Sequence, residues 1–430
     1  MSHDLNNFDY QGNTLFAEGV SLTAIAERFG TPTFVYSKAY ILNAYREFAA
    51  AAERRPGGAP VMVCYAIKAN SNLAILDLLA REGAGFDIVS GGELERVIAA
   101  GASPSKTVFS GVGKSRKEIS QALAAGVYCF NVESEAELDR LNELAGQAGK
   151  KASVSLRVNP DVDAGTHPYI STGLKENKFG IAHDVAVAVY QYAASLPHLN
   201  VTGIDCHIGS QITDITPFMA ALEKILELHD AIRAAGIPLQ HLDLGGGLGI
   251  AYQPSDTAPS RAMLLEAIFN RLAKHPIAKD LQVLFEFGRS IVGNAGVLLT
   301  RVEHLKPTAS KNFAIVDAAM NDLIRPTLYQ AHHGMREVVR TGSDESSTYD
   351  IVGPVCESGD WLGRDRELRI AEGDLIAIAS AGAYGMAQSS NYNSRPKACE
   401  VMVDGDQVHL IRERETIKSL FALETLLPES

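Results

Sequence analysis

From residue 61 to about 288 the sequence alternates short β-rich runs with stretches of helical periodicity, and this beat constrains the fold more than any other feature. The strand runs are VMVCYAIK (61–68), GFDIV (85–89), KTVFSG (106–111), VYCFNV (127–132), SVSLRV (153–158), VTGIDCHI (201–208), LQHLDLG (239–245) and QVLFEF (282–287). Between them, stretches such as GELERVIAAG, SRKEISQALAAG and EAELDRLNELAG repeat apolar residues at spacings of three and four, and several close on glycine. Strand–helix alternation demands a parallel sheet with right-handed crossovers. About eight strands close a (β/α)8 TIM-type barrel. An open, doubly wound sheet is the alternative.

Outside this block the texture changes. TPTFVYS (31–37) leads into the helix-like YILNAYREFAAAAE. After residue 290, GVLLTRVEHLKP, KNFAIVDAA, TYDIVGPVCESGD, LRIAEGDLIAIAS and ACEVMVDGDQVHLIRERE are strand-like, with turn signals between them. The expected organisation is a barrel over 32–289, with 1–31 and 290–430 forming a C-terminal, mostly β domain.

At 46% hydrophobic and 21% charged residues the chain can bury a core without disulfides. A net charge of −12 without a basic run argues against nucleic acid and anionic membrane as partners. Cys64, Cys129, Cys206, Cys356 and Cys399 are odd in number and form no CxxC pair, the pattern of a reduced, cytoplasmic chain. The polar start MSHDLNNFDYQGN shows no signal-peptide core, and no apolar stretch is long enough to span a membrane.

In such a barrel the chemistry sits where strands end. Those ends carry Lys68, Asp87 and Ser90, Ser110, Asn131 and Glu133, Arg157 and Asn159, His207 and Ser210, Gly245-Gly246-Gly247, and Glu286 with Arg289. A full ring of polar ends means a polar site on one rim. The glycines of HLDLGGGLG (241–249) can bring backbone N–H groups to a phosphate, though glycine runs also make ordinary loops. Alone, Lys68 reads first as a solvated rim lysine and His207 as a core histidine, and Glu286 with Arg289 reads equally as a rim ion pair. Asp87 reads as an anchor for Lys68 or Arg157. Together, a rim lysine, a phosphate cradle, an imidazole and a carboxylate form the set that pyridoxal 5'-phosphate requires. The lysine makes the Schiff base, and the carboxylate keeps the pyridine nitrogen protonated. No His/Asp pair recurs at metal-ligand spacing on the strand ends, so no metal is expected.

These residues fall in longer motifs: FVYS (34–37), YAIKAN (65–70), FDIVSGGEL (86–94), TGLKENKFGI (172–181), HIGSQ (207–211), LDLGGGLGI (242–250), EFGR (286–289), MNDLIRPTLY (320–329), GPVCESGD (353–360) and GAYG (382–385). The chain resembles the diaminopimelate decarboxylase family of fold-type III pyridoxal phosphate enzymes, related to alanine racemase and the ornithine decarboxylases. The resemblance implies a barrel plus a β domain that decarboxylates meso-2,6-diaminopimelate to L-lysine, the last step of that biosynthesis. It implies that Lys68 carries the cofactor, His207 stacks on its ring, and Ser210 with Gly245, Gly246 and Gly247 holds its phosphate. Glu286 pairs with the pyridine nitrogen, and Gly288, Arg289 and Tyr384 also belong to the cofactor site. Arg289, Arg325, Tyr329, Glu357 and Tyr384 bind substrate, and Cys356 donates the proton after carbon dioxide leaves. It further implies a homodimer in which Cys356 and Glu357 reach the neighbouring subunit's site.

The residue types suit a substrate with two amino-acid ends: arginines for the distal carboxylate and Glu357 for the distal ammonium. Each has a plainer reading. Arg325 before Pro326 also caps a turn, Cys356 also serves as a buried apolar residue, and Asp360 and Trp361 also serve a turn and its packing. Phe287 departs from the family, which commonly has proline there. An arginine or ornithine decarboxylase, an amino-acid racemase, a non-enzymatic cofactor carrier and a metal-dependent hydrolase are the competing readings. Glu286 disfavours the racemase, and the Cys356–Glu357 pair disfavours the carrier.

Overall fold

The computed structural model describes residues 8–173, 177–340 and 346–429. Residues 174–176 of the TGLKENKFGI motif lie outside the described residues, as do the first seven of the polar N-terminal stretch. The chain forms two compact units, one of Leu42–Ile250 with Thr257–Ile291, the other of Met1–Ile41, Ala251–Asp256 and Val292–Ser430.

The first unit is a closed parallel barrel. Its strands are β1 (Val61–Ala66), β2 (Gly85–Ile88), β3 (Thr107–Phe109), β4 (Cys129–Val132), β5 (Ala152–Asn159), β6 (Leu199–Asp205), β7 (His241–Asp243) and β8 (Gln282–Phe287). Each pairs in parallel with the next, and β8 returns to β1 with Glu286 opposite Cys64. Among the described residues the eight strands leave no open doubly wound edge. β1 stops at Ala66, and Lys68 sits in the tight turn Ile67–Ala69 that follows. β7 is shorter than the sequence run, because Gly245–Gly247 leave the ladder at once.

The helices begin where small polar side chains cap them. Asn72, Ser90, Ser134 and Ser260 each accept a first-turn N–H, and Ser115 with Glu118 makes a reciprocal capping box. Strand period two does the rest. His241 and Asp243, Cys129 and Asn131, and Ser155 and Arg157 each share a face of their strand, and all six are buried.

In the second unit Gly296–Pro307 is the central strand. It pairs with Asn312–Val316, Leu375–Ile378 and Thr33–Ser37, and Thr33–Ser37 pairs in turn with Cys399–Asp404. The sequence places 32–37 with the barrel; the ladder places that strand in the β-rich sheet, where Phe34, Val35 and Tyr36 are fully buried. The N-terminal hairpin Phe8–Gln11/Thr14–Ala17 packs into the same core, with Phe8, Leu15, Leu22 and Ile25 against Val297, Leu299, Val338, Val401 and Val403. Trp361–Leu368 is a strand that hydrophobic alternation does not reveal, since its sequence, WLGRDREL, is half charged.

Candidate active site

Lys68 is delivered by local chain chemistry. Tyr65 Oη donates to the Asn70 carbonyl at 2.9 Å, Asn70 Oδ1 accepts from Asn72 N–H, and Asn72 caps the next helix. The apolar strand therefore ends in a pinned turn. Lys68 Nζ lies 2.6 Å from Asp87 Oδ2. Asp87 is fully buried, and the Lys68 ammonium is its ion-pair partner. Its Oδ1 has no hydrogen-bond partner among the described residues.

Glu286, near the end of β8, is buried. Its Oε1 accepts from Ser110 Oγ and from Asn131 Nδ2, both at 3.2 Å. Asn131 Nδ2 also reaches Asp243 Oδ2 at 3.5 Å, and Asp243 Oδ1 accepts from Gly245 N–H at 3.0 Å. Asp243 thus connects the mouth of the glycine turn to the Glu286 network. Asp205, Asp243 and Glu286 bring carboxylate oxygens within 4.8 Å of one another. Burial pushes the Glu286 carboxyl well up, and Asp243 and Asp87 push it further, against the pull of Lys68 and Arg157. Burial likewise raises Asp205 and Asp243. Three such acids share protons rather than all ionising. The trio also has the spacing of metal ligands, and the Asn131 amide N–H is already aimed at two of its members.

His207 follows β6. Its Nδ1 accepts from Gly246 N–H at 3.1 Å. Burial, then Arg157 and Lys68, hold its pKa well below the usual histidine range, so the ring is neutral with its proton on Nε2. Arg157 is fixed by Glu133 at 3.0 Å and lies over the Phe179 ring at 4.8 Å. The glycine turn is as close as backbone permits. A Cβ on Gly246 would stand 2.0 Å from the Glu286 carbonyl oxygen, and Gly247 has φ +103°. Gly288 is similarly tight, with its missing Cβ 2.9 Å from that of Ala69. Arg289 Nη2 donates to Ser210 Oγ at 2.9 Å. Phe287 stays in the ladder opposite Tyr65 and stacks on Phe48, with ring centroids 4.0 Å apart and planes at 11°. Here aromatic packing occupies the position between Glu286 and Gly288.

The remaining expected residues lie in the β-rich unit. Arg325 opens the short helix Arg325–Tyr329 and donates to His333 Nε2 at 3.0 Å, while His333 Nδ1–H donates to the Ala379 carbonyl. Its guanidinium lies 4.7 Å from the Tyr252 ring centroid. Arg325 is thus held in place as well as capping a turn. Tyr329 Oη accepts from Gln388 Nε2 at 3.2 Å. Tyr384 has φ +58°, a left-handed backbone that a tyrosine adopts only when its surroundings impose it. Cys356 is exposed, unlike the other four cysteines, so it is no buried apolar filler. Glu357 beside it bonds the Tyr392 hydroxyl.

Sequence reasoning passes over Asp205 and Asp243 and does not commit to Ser110 or Asn131. The available signal was an aspartate inside an otherwise apolar strand run, two residues before the glycines for Asp243 and two before His207 for Asp205.

The site fits pyridoxal phosphate on its own features: a lysine held at a strand end, a neutral flat imidazole, a buried carboxyl, and a glycine turn that no Cβ could share. Residues 41–293 match the family model described as the pyridoxal binding domain of pyridoxal-dependent decarboxylases. A curated diaminopimelate decarboxylase of Pseudomonas aeruginosa is 59% identical over 99% of this chain and all of its own length, and one of Vibrio cholerae is 55% identical over the same shares. Among solved structures, a diaminopimelate decarboxylase of M. jannaschii in complex with L-lysine aligns with TM-score 0.94 at 39% identity over 98% of both chains. That of Helicobacter pylori, also complexed with L-lysine, gives 0.88 at 42% identity over 94% of this chain and 98% of its own. The chain belongs to the pyridoxal-dependent decarboxylases, within the diaminopimelate decarboxylase family.

Proposed function

We propose that the rim built on Lys68, His207, Glu286 and the glycine turn decarboxylates meso-2,6-diaminopimelate, giving L-lysine and carbon dioxide. The observation that carries this reading is the rim itself, where Lys68 is held by Asp87 at the end of β1, Glu286 is bonded by Ser110 and Asn131, and the glycine turn is packed against the Glu286 carbonyl and bonded to His207. When bound, pyridoxal phosphate supplies an electron sink for the carbon that loses its carboxylate. Lys68 is the residue to hold it covalently. Glu286 would pair with its ring nitrogen, His207 would pack on its ring, and Ser210 with Gly245–Gly247 would take its phosphate, with Gly288, Arg289 and Tyr384 also contributing to its site.

For the substrate, Arg289, Arg325 and Tyr329 take the distal carboxylate, with Tyr384 alongside, and Glu357 takes the distal ammonium. Cys356 gives the proton that replaces the lost carboxylate. A long diacidic amino acid uses both the arginines and Glu357, whereas ornithine or arginine would leave the arginines without a carboxylate. The enzyme works as a cytoplasmic homodimer in which Cys356 and Glu357 serve the neighbouring subunit. Their exposure in the single chain supports this. Among the described residues, no helix is long and apolar enough to cross a membrane.

The test is carbon dioxide release from diaminopimelate, ornithine, arginine and lysine by protein supplied with pyridoxal phosphate. Release from diaminopimelate alone is expected, and preference for another of the four refutes the substrate. Mixing Lys68→Ala with Cys356→Ser subunits tests the shared site. Activity that neither variant has alone is expected, and its absence after confirmed subunit exchange refutes the sharing.

A further inference from the structure

The loop Gly353–Asp360 carries Cys356 and Glu357, both exposed. Exposed side chains are placed only as well as the backbone beneath them. Here that backbone is gripped by one buried carboxylate. Asp360 is 4% exposed. Its Oδ2 accepts from Val355 N–H at 2.7 Å, immediately before Cys356. Its Oδ1 accepts from Met320 N–H, also at 2.7 Å, on the stretch leading to the helix Arg325–Tyr329. Its own N–H donates to the Glu357 carbonyl at 3.0 Å. Thr327 Oγ1, inside that helix, donates to the Gly359 carbonyl at 2.6 Å. Cys356 N–H donates to Asn393 Oδ1 at 2.9 Å.

The fit is tight. A Cβ on Gly353 would lie 2.5 Å from Asp360 Oδ2 and 2.6 Å from Ala319 Cα, so only glycine lets the carboxylate approach. A turn-forming aspartate needs none of this. A carboxylate with two short bonds to backbone N–H groups from different segments is a clamp, and such charge-assisted bonds are the strong ones.

We propose that Asp360 is a positioning residue for the decarboxylation, fixing the Cys356–Glu357 loop and the Arg325–Tyr329 helix in one mutual arrangement. The proposal rests on the roles assigned above to those four residues. One carboxylate thereby sets both the loop that carries the proton donor to the neighbouring subunit's site and the helix that carries Arg325 and Tyr329.

The test compares holoenzyme carrying Asp360→Asn, Thr327→Val or Cys356→Ser with the parent. Asparagine keeps the size of the side chain but turns an NH2 group against one of the two N–H donors. The expected result is a fall in kcat of about 10–100-fold, the scale of an ångström-sized misplacement. A raised KM for diaminopimelate and a severalfold change in the rate at which iodoacetamide alkylates Cys356 accompany it, with the cofactor's absorbance retained. Thr327→Val removes one tie without stranding a charge, so it shows the same changes to a smaller degree and serves if Asp360→Asn does not fold. A merely structural role would lower the melting temperature and leave kcat, KM and alkylation at parental values well below that temperature; that result overturns the proposal. Full activity in Cys356→Ser would instead refute the proton-donor assignment, and alkylation and KM would still judge Asp360.

Discussion

Gly246→Ala isolates the close approach on which the cofactor rim depends. Gly246 does not need a left-handed backbone, so alanine costs nothing in φ. What it meets is the Glu286 carbonyl oxygen at 2.0 Å, where real Cβ contacts stay beyond 3.0 Å. The turn and the end of β8 must therefore separate by about 1 Å, a displacement on the scale that costs roughly 100-fold in rate. The obstacle is backbone on both sides, so no rotamer change relieves it. The strain also reaches the neighbouring bonds: Gly246 N–H to His207 Nδ1, and Glu286 N–H to the Gly245 carbonyl at 2.7 Å. The expected outcome is about a 100-fold loss in kcat/KM with weakened cofactor binding, and a stability loss of about 1–3 kcal/mol as for other overpacked sites. Steady-state decarboxylation, cofactor titration by absorbance and urea unfolding measure the three. Gly236→Ala is the control, since it has φ +86° but nothing within 4 Å of its missing Cβ. It should lose stability and keep both kcat and cofactor affinity. If Gly246→Ala keeps parental kcat/KM and cofactor affinity, the claim that this approach shapes the rim is wrong.

Glu286→Gln keeps the size of the side chain but neither the charge nor the proton of a carboxyl, and kcat should fall about 100–1,000-fold, as when a preorganised electrostatic partner is removed; a loss under tenfold in steady-state assays would deny it the ring-nitrogen role. Phe287→Ala should destabilise by about 3–5 kcal/mol in urea unfolding, because its ring is buried in a stack with Phe48 and Phe285. The double variant with Phe48→Ala should cost less than the sum of the two singles, and strict additivity would refute the stack. Burial holds His241 neutral down to a pKa of about 4, against 6.5 when unfolded. Between those values the unfolded chain binds the extra proton, so the contribution, about 3 kcal/mol, is present above pH 6.5 and lost as pH falls toward 4. Raised carboxyls such as Glu286 act with the opposite sign, so the measurement is the difference in unfolding free energy between parent and His241→Gln from pH 7 to 4.5; a difference that does not change with pH would falsify the assignment.

The barrel was legible because period two and period 3.6 alternate cleanly between residues 61 and 288, and because eight parallel strands have few other ways to bury both faces. Lys68, His207, Glu286 and the glycine turn were legible as the polar ends of those strands. The boundary near residue 32 was not. Thr33–Ser37 has the same apolar texture as a barrel strand, and only its long-range partners, Gly296–Pro307 and Cys399–Asp404, reveal its sheet. Trp361–Leu368 was hidden by its charges. Asp360 was underread for a different reason. An aspartate after Ser-Gly is the usual turn signal, and nothing local says that its side chain reaches back to Met320.

The least legible feature is also the most informative electrostatically. Asp87, Glu133, Asp205, Asp243 and Glu286 are all buried in the barrel unit, where Lys68 and Arg157 are the cations bonded to members of this set. Lys68 pairs with Asp87 and Arg157 with Glu133. The other three carboxyls are the ones pushed well up by burial, and they are the three that lie together. Glu286 is the member of the trio that bonds both Ser110 and Asn131 at the strand ends. A carboxyl raised by burial and by neighbouring acids responds to whatever is placed against it. A basic ring nitrogen seated there turns an energetically costly acid into half of a charge-assisted hydrogen bond. Burial, with Asp243 and Asp87 beside it, is what raises the Glu286 carboxyl for that partner.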